Sequence, residues 1–237
     1  MHNDHGFSWL SLIPGLEHAP IHVAVAVMIA LILVVTTWVA GNQVKAAMNA
    51  PGGGLIPESK LTYRNFFEII AESLYKLTES VIGHHDAPTY YPLIGSLFVF
   101  IFSCNVIGLI PGFLPPTDNM NTTLALGVFV FLYYNFAGLR ANGLGYLKHF
   151  FGPVLLLGPL MFIIELASHV FRPISLALRL RGNIMGDHIV LGIFSDLVPY
   201  LIPVIFYGIG AFVAFIQAFV FCLMTMVYIS LSTAHDH

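Results

Sequence analysis

Charge is what this sequence has least of. Lysine and arginine together number 9, aspartate and glutamate 12, in 237 residues. Ordinary soluble domains are about 25% charged; here the share is 9%, against 57% hydrophobic. A chain so composed has too few charges to cover a water-facing surface. Its mean hydropathy of +0.84 points to a membrane protein. The formal net charge of −3 rests on too few groups to suggest a charged partner.

Cysteine is nearly absent. Cys104 and Cys222 both lie in apolar runs and read as small buried hydrophobes, not as a disulfide or a metal pair. No metal-ligand spacing occurs, since His84, His85 and Asp86 are adjacent and read as a polar loop. The chain contains neither GxxxxGK[ST] nor GxGxxG, so no nucleotide-binding loop and no resident cofactor are expected. No basic residue precedes Lys45, so neither a transit peptide nor a secretory leader is expected. Nucleic acid is not an expected partner either.

What is present is long apolar runs. A bilayer span needs about 20 apolar residues. Ile21–Ala40 meets this without a charge, with Trp38 suited to an interface. NAPGGGLIP (49–57) then breaks the chain. Across 58–82, Phe66, Ile70, Leu74, Leu77 and Val81 recur at three- and four-residue steps. Lys60, Arg64, Glu68, Glu72, Lys76 and Glu79 fill the other side. This predicts an amphipathic helix lying on the membrane surface or on a partner.

No charge falls between Asp86 and Asp118. Leu93–Ile110 reads as a span, PGFLPPTDN as a turn and Thr123–Gly138 as the return. From Val154 to Phe194 the chain stays apolar for about two span lengths, and no formal charge lies between Asp196 and Asp236. Pro199 and Pro203 mark the bend between two long, tilted helices.

The expected fold is thus an all-α polytopic membrane protein. It has five crossing helices and one interfacial helix in a single membrane domain spanning 1–237. Residues 1–20 form an external N-terminus, 21–48 the first helix, 58–83 the surface helix, 90–138 a hairpin and 154–232 the long hairpin. Lys45, Lys60, Arg64 and Lys76 flank one break and Arg140 and Lys148 another, while the N-terminus and the turns at 111–122 and 195–203 hold none. The positive-inside rule then puts the N-terminus outside and the C-terminus in the cytoplasm.

One stretch conflicts with its surroundings. ISLALRLRGN (174–183) holds Arg179 and Arg181 inside hydrocarbon-like sequence, and a guanidinium cannot escape by losing its proton. Glu165, Arg172 and Arg179 are seven residues apart, a spacing that returns to nearly the same helix face with a drift of about 20°. Ser168, His169, Ser175 and Asn183 fall near that stripe. Pro173 interrupts the hydrogen-bond ladder, and Gly182 and Gly186 permit close approach of another helix. His188, nine residues past Arg179, points to roughly the opposite side, and Asp187 sits between the two directions. Two polar directions therefore diverge at Arg179, as two ion pathways parted by one positive charge require. Arg179 has no carboxylate three or four residues away, so its counter-charge lies elsewhere. Glu165 and Arg172, by contrast, are able simply to pair. Gln217, alone in an apolar helix, needs a hydrogen-bond partner, for which Arg179 is the candidate.

PISLALRLRGNIMGDH (173–188), NVIGLIPGFLPPTDNMNTT (105–123) and AFIQAFVFCLMTMVYIS (214–230), in this order, closely resemble subunit a of the rotary proton-translocating ATP synthase, of bacterial type. The resemblance implies a stator subunit without a catalytic site of its own, set in a bacterial plasma membrane among lipid. The partners it implies are a rotor ring of c subunits, the peripheral-stalk subunit b and a soluble catalytic head. It makes Arg179 the family's essential arginine. Asn183, Asp187, His188 and Gln217 then belong to a proton path from outside. Glu165, Ser168, His169 and the motif serine Ser175 belong to a path to the inside. Two positions depart from the pattern: Gly210 stands where many relatives carry an acid or a histidine, and Arg181 where they carry an uncharged residue.

Two rival readings fare worse. A stand-alone transporter usually shows repeat halves, and none is visible here. A voltage sensor needs arginines at every third residue, which spacings of seven and two do not supply.

Overall fold

The computed structural model describes residues 20–48, 63–110, 112–143, 146, 158–197 and 202–233; for 46–48, 63, 64, 66, 158, 159, 195–197, 202 and 203 it describes the backbone alone. The expected external tail, the NAPGGGLIP break, most of the 140–153 break and the bend at Pro199 lie outside these residues. Among the described residues there are six α-helices, one short 3-10 turn and no strand. They are α1 (Ile21–Met48), α2 (Tyr63–Ile82), α3 (Ala87–Ile107), α4 (Met120–Asn142), α5 (Gly158–Leu197) and α6 (Ile202–Thr233), with the 3-10 turn at Pro116–Asp118. All but α2 are long and apolar enough to cross a membrane. The chain is an all-helical, multi-pass membrane protein.

The helix boundaries follow local chemistry. Pro88 sits in the first turn of α3, where its missing N–H is an orphan in any case. Asn119 caps α4, its side chain accepting from the Asn121 N–H at 2.9 Å. Gly143 ends α4 with φ +55°. The amphipathic helix forms where the periodicity placed it. Leu74 is buried and Ile70, Leu77 and Val81 pack beside it, while Glu72 and Lys76 form an exposed ion pair at 2.6 Å. Lys76 holds the Glu72 carboxyl below its ordinary value through that hydrogen bond, and a pair so exposed adds little stability.

The core sits where α3, α4, α5 and α6 meet, around Ile94, Ile101, Val130, Leu180, Phe221 and Met226. Cys104 and Cys222 are buried within such packing. α1 is the most lipid-like element: Leu31, Val34 and Trp38 are exposed, and it packs through Val25 and Ile29 onto Cys104. α5 remains one helix across Pro173.

Among the described residues, no helix of this chain makes a close approach at Gly182 or Gly186. Both glycines are exposed, with nothing within 4 Å of the position a Cβ would take. The tight crossing is made by Gly127 of α4, whose Cβ position lies 2.6 Å from the Pro173 carbonyl oxygen of α5. At the far end of α4, Gly138 packs against the Tyr146 ring and the Ser232 carbonyl oxygen. Gly182 and Gly186 thus lie on a face of α5 that the described residues leave bare.

Candidate functional site

The bundle has two ends. The 3-10 turn lies at one; Tyr146 and the last turn of α6 lie at the other. α5 runs between them and carries its polar residues along its length. It divides them into three groups.

The first group lies toward Tyr146. Arg172 Nη2 donates to Glu165 Oε1 at 3.3 Å, and its guanidinium carbon stands 5.4 Å from the centre of the Tyr228 ring. Two members of the predicted seam thus pair with each other, which lowers the cost of holding both in an apolar helix. His169, only 6% exposed, turns toward α4. Its Nε2 lies 2.7 Å from Asn135 Oδ1, which also accepts from Tyr146 OH at 3.0 Å. The Asn135 Nδ2 donates to the Phe131 carbonyl at 2.7 Å, which fixes the amide's orientation. The oxygen can only accept, so His169 carries its proton on Nε2. Ser168 and Ser175 are exposed on other sides of α5.

The second group is Arg179 alone. It is half-buried, and no acid of this chain pairs with it among the described residues. The partner expected for it, Gln217, is engaged otherwise: Asn183 Nδ2 donates to Gln217 Oε1 at 2.5 Å, joining α5 to α6. Gln217 is 4% exposed, and its need for a partner is met one turn further along α5 than expected.

The third group surrounds a cavity of about 250 Å³ between α3, α5 and α6. Asp187, His188 and Gln217 line it, as does Gly210. Space for a larger residue at 210 is taken by Leu109, whose Cδ2 lies 2.7 Å from that Cβ position. The sequence reading missed a fourth polar wall, Asn105. It is 6% exposed, accepts from Thr117 Oγ1 at 2.9 Å and reaches the Ala214 carbonyl oxygen at 3.5 Å. The signal was available: an asparagine within an apolar span needs partners for the same reason as Gln217. Asn135 carries the same signal.

So the structure brings Asp187, His188 and Gln217 to one cavity, with Asn183 bonded to Gln217. It pairs Glu165 with Arg172 at the other end and leaves Arg179 unpaired between them. Fold and site together define a multi-pass membrane protein whose long helix α5 carries a half-buried arginine, without an acid partner among the described residues, between two polar regions.

Comparison with known proteins gives that class a family. The family model described as ATP synthase A chain matches residues 23–230. "ATP synthase subunit a" of Bdellovibrio bacteriovorus is 47% identical over 98% of this chain and 99% of that protein. "ATP synthase subunit a 3" of Pelobacter propionicus is 46% identical over 81% of this chain and 80% of its own length. "ATP synthase subunit a" of Geobacter sulfurreducens is 48% identical over 73% and 76%. The chain belongs to the ATP synthase A chain family.

Proposed function

We propose that this protein is the stator subunit of an ATP synthase membrane sector. In this reading it loads and unloads protons on the carboxyl groups of a rotor ring of c subunits through two offset half-channels. Arg179 carries the reading. A half-buried guanidinium without an acid partner among the described residues calls for a negative partner, and a ring carboxylate at mid-membrane supplies one. The face of α5 next to it supports this. Ser175, Leu178, Gly182, Met185 and Gly186 are exposed and leave a low surface along which a moving partner can pass.

The positive-inside assignment makes the 3-10 turn the outer end and Tyr146 the inner end, with the N-terminus outside and the C-terminus in the cytoplasm. A proton enters the cavity past Asp187 and His188 and reaches the ring beside Asn183 and Gln217. The neutralised carboxyl turns into lipid, which an ionised one could not enter cheaply. After nearly a full rotation the site meets the inner path at Glu165, Ser168, His169 and Ser175. There it ionises, and Arg179 attracts the carboxylate and favours proton release. The fixed charge also repels any proton that would pass straight between the paths. Each elementary charge crossing 100 mV is worth about 2.3 kcal/mol, which a leak would dissipate. Arginine suits the position better than lysine because it stays charged when desolvated.

The peripheral-stalk subunit b, the soluble catalytic head and the lipid of a bacterial plasma membrane complete the setting; the chain itself needs no cofactor and catalyses no bond chemistry. Purification from mild detergent tests this. The protein is expected to emerge with a ring of small subunits and an ATPase head. Emergence alone, as a transporter would, contradicts the assignment.

His188→Ala is expected to slow proton-driven ATP synthesis most at high external pH, where protons are scarce and an ionisable group in the entry path matters most. The rate is followed in vesicles at a series of external pH values. An unchanged profile moves the entry path away from His188.

A further inference from the structure

Arg181 lies two residues past Arg179 and about 200° round the helix, so the two guanidinium groups face different neighbours. It is half-buried, and its Nε donates to the Asp118 carbonyl oxygen at 3.1 Å. A neutral carbonyl does not cancel the charge, so this contact holds a piece of backbone. That piece is the turn Pro116–Asp118, which follows Pro115; the two prolines bring no N–H to anchor it.

The same turn has a second anchor. Thr117 is fully buried, and its hydroxyl donates to Asn105 Oδ1 at 2.9 Å. Asn105 in turn lines the cavity that Asp187, His188 and Gln217 share. Beneath the turn, Gly108 leaves room for Pro115: a Cβ there would stand 2.8 Å from that ring. A continuous chain of contacts thus runs from α5 through Asp118 and Thr117 to α3 and the cavity wall.

We propose that Arg181 is a positioning residue for proton entry. It clamps the Pro116–Asp118 turn onto α5, and the turn, through Thr117, holds the Asn105 carboxamide in the cavity wall opposite Gly210, a position without a polar side chain. The carboxamide then orders water between His188 and Gln217. The ionisable groups along this route are Asp118 on the turn and Asp187 and His188 on the cavity wall of α5. Among the described residues, the polar side chains that α3 and α6 bring to the cavity are two amides, Asn105 and Gln217. The clamp rests on the entry path proposed above.

The test uses the whole complex in membrane vesicles. It measures ATP synthesis driven by an imposed gradient as a function of proton concentration on the turn side. Arg181→Leu and Thr117→Val are each expected to raise the concentration for half-maximal rate about fivefold, the factor that one net hydrogen bond of ordinary strength represents. The double variant is expected to match the worse single one, because both act through one turn. Arg181→Gln keeps a donor without the charge and is expected to retain most of the wild-type response.

Three results overturn the clamp: an unshifted half-maximal concentration in Arg181→Leu, multiplying effects in the double variant, or Arg181→Gln as impaired as Arg181→Leu. Should Arg181→Leu not assemble, Thr117→Val and Arg181→Gln decide the question. Arg179→Ala in the same assay separates the layers. Coupled synthesis surviving there removes the proposed stator reading itself, whereas its loss beside an unshifted Arg181→Leu removes the clamp alone.

Discussion

Replacing Arg179 with alanine is expected to abolish ATP-driven proton pumping, while passive proton conduction through the membrane sector persists or rises. The expectation follows from the isolation of the side chain. It sits half-buried between an ion pair at Glu165–Arg172 and a cavity at Asp187–His188, with no acid of its own chain to neutralise it among the described residues. In the proposed function, alanine would remove both the attraction for the ring carboxylate and the barrier between the two polar regions. Neither neighbour restores them: Arg172 is held by Glu165 and the Tyr228 ring, and Arg181 by the Asp118 carbonyl. Arg179→Lys is expected to be nearly as damaging, since an ammonium in this setting readily gives up its proton. Acidification of inverted vesicles on ATP addition measures the first effect. Decay of an imposed gradient after removal of the catalytic head measures the second. Pumping at wild-type rate in Arg179→Ala contradicts the role.

Gly127→Val is expected to have the next largest effect, through assembly rather than conduction. The Cβ position at 127 lies 2.6 Å from the Pro173 carbonyl oxygen, a distance no side chain can occupy. The obstacle is backbone of a long helix and cannot swing aside. Overpacking of this kind costs about 1–3 kcal/mol where the surroundings can yield, and more where they cannot. Association of membrane helices depends on close packing of small residues. Forcing α4 from α5 also displaces the helix that carries Arg179. Little of the Gly127→Val subunit is therefore expected in purified complex, with an intermediate amount for Gly127→Ala. The measure is the ratio of this subunit to the catalytic head. A wild-type ratio for Gly127→Val places the tight crossing elsewhere.

The membrane class, the helix count and the lack of an acid partner for Arg179 among the described residues were legible because each rests on a property one segment carries by itself: length, hydropathy, or a charge without a local partner. Contacts between segments were less legible. The Gln217 partner is Asn183 and not Arg179, because the choice between residues one turn apart on α5 depends on where α6 crosses. His169 lies near the predicted stripe yet faces Asn135 on α4 and Tyr146 just beyond that helix, since adjacent positions on a helix stand about 100° apart. The Arg181 partner is a backbone carbonyl, to which a count of charges is blind. Gly127 lacks the motif context that drew attention to Gly182 and Gly186.

The central claim is that Arg179 faces a partner's acid. A density map of the intact complex, taken with the ring in place, tests it most directly. The account predicts a guanidinium directed across the rotor contact toward a ring carboxyl, within about 4 Å in the state where that carboxyl is ionised. A guanidinium turned toward lipid headgroups, or paired with an acid of this same chain away from the ring, contradicts it.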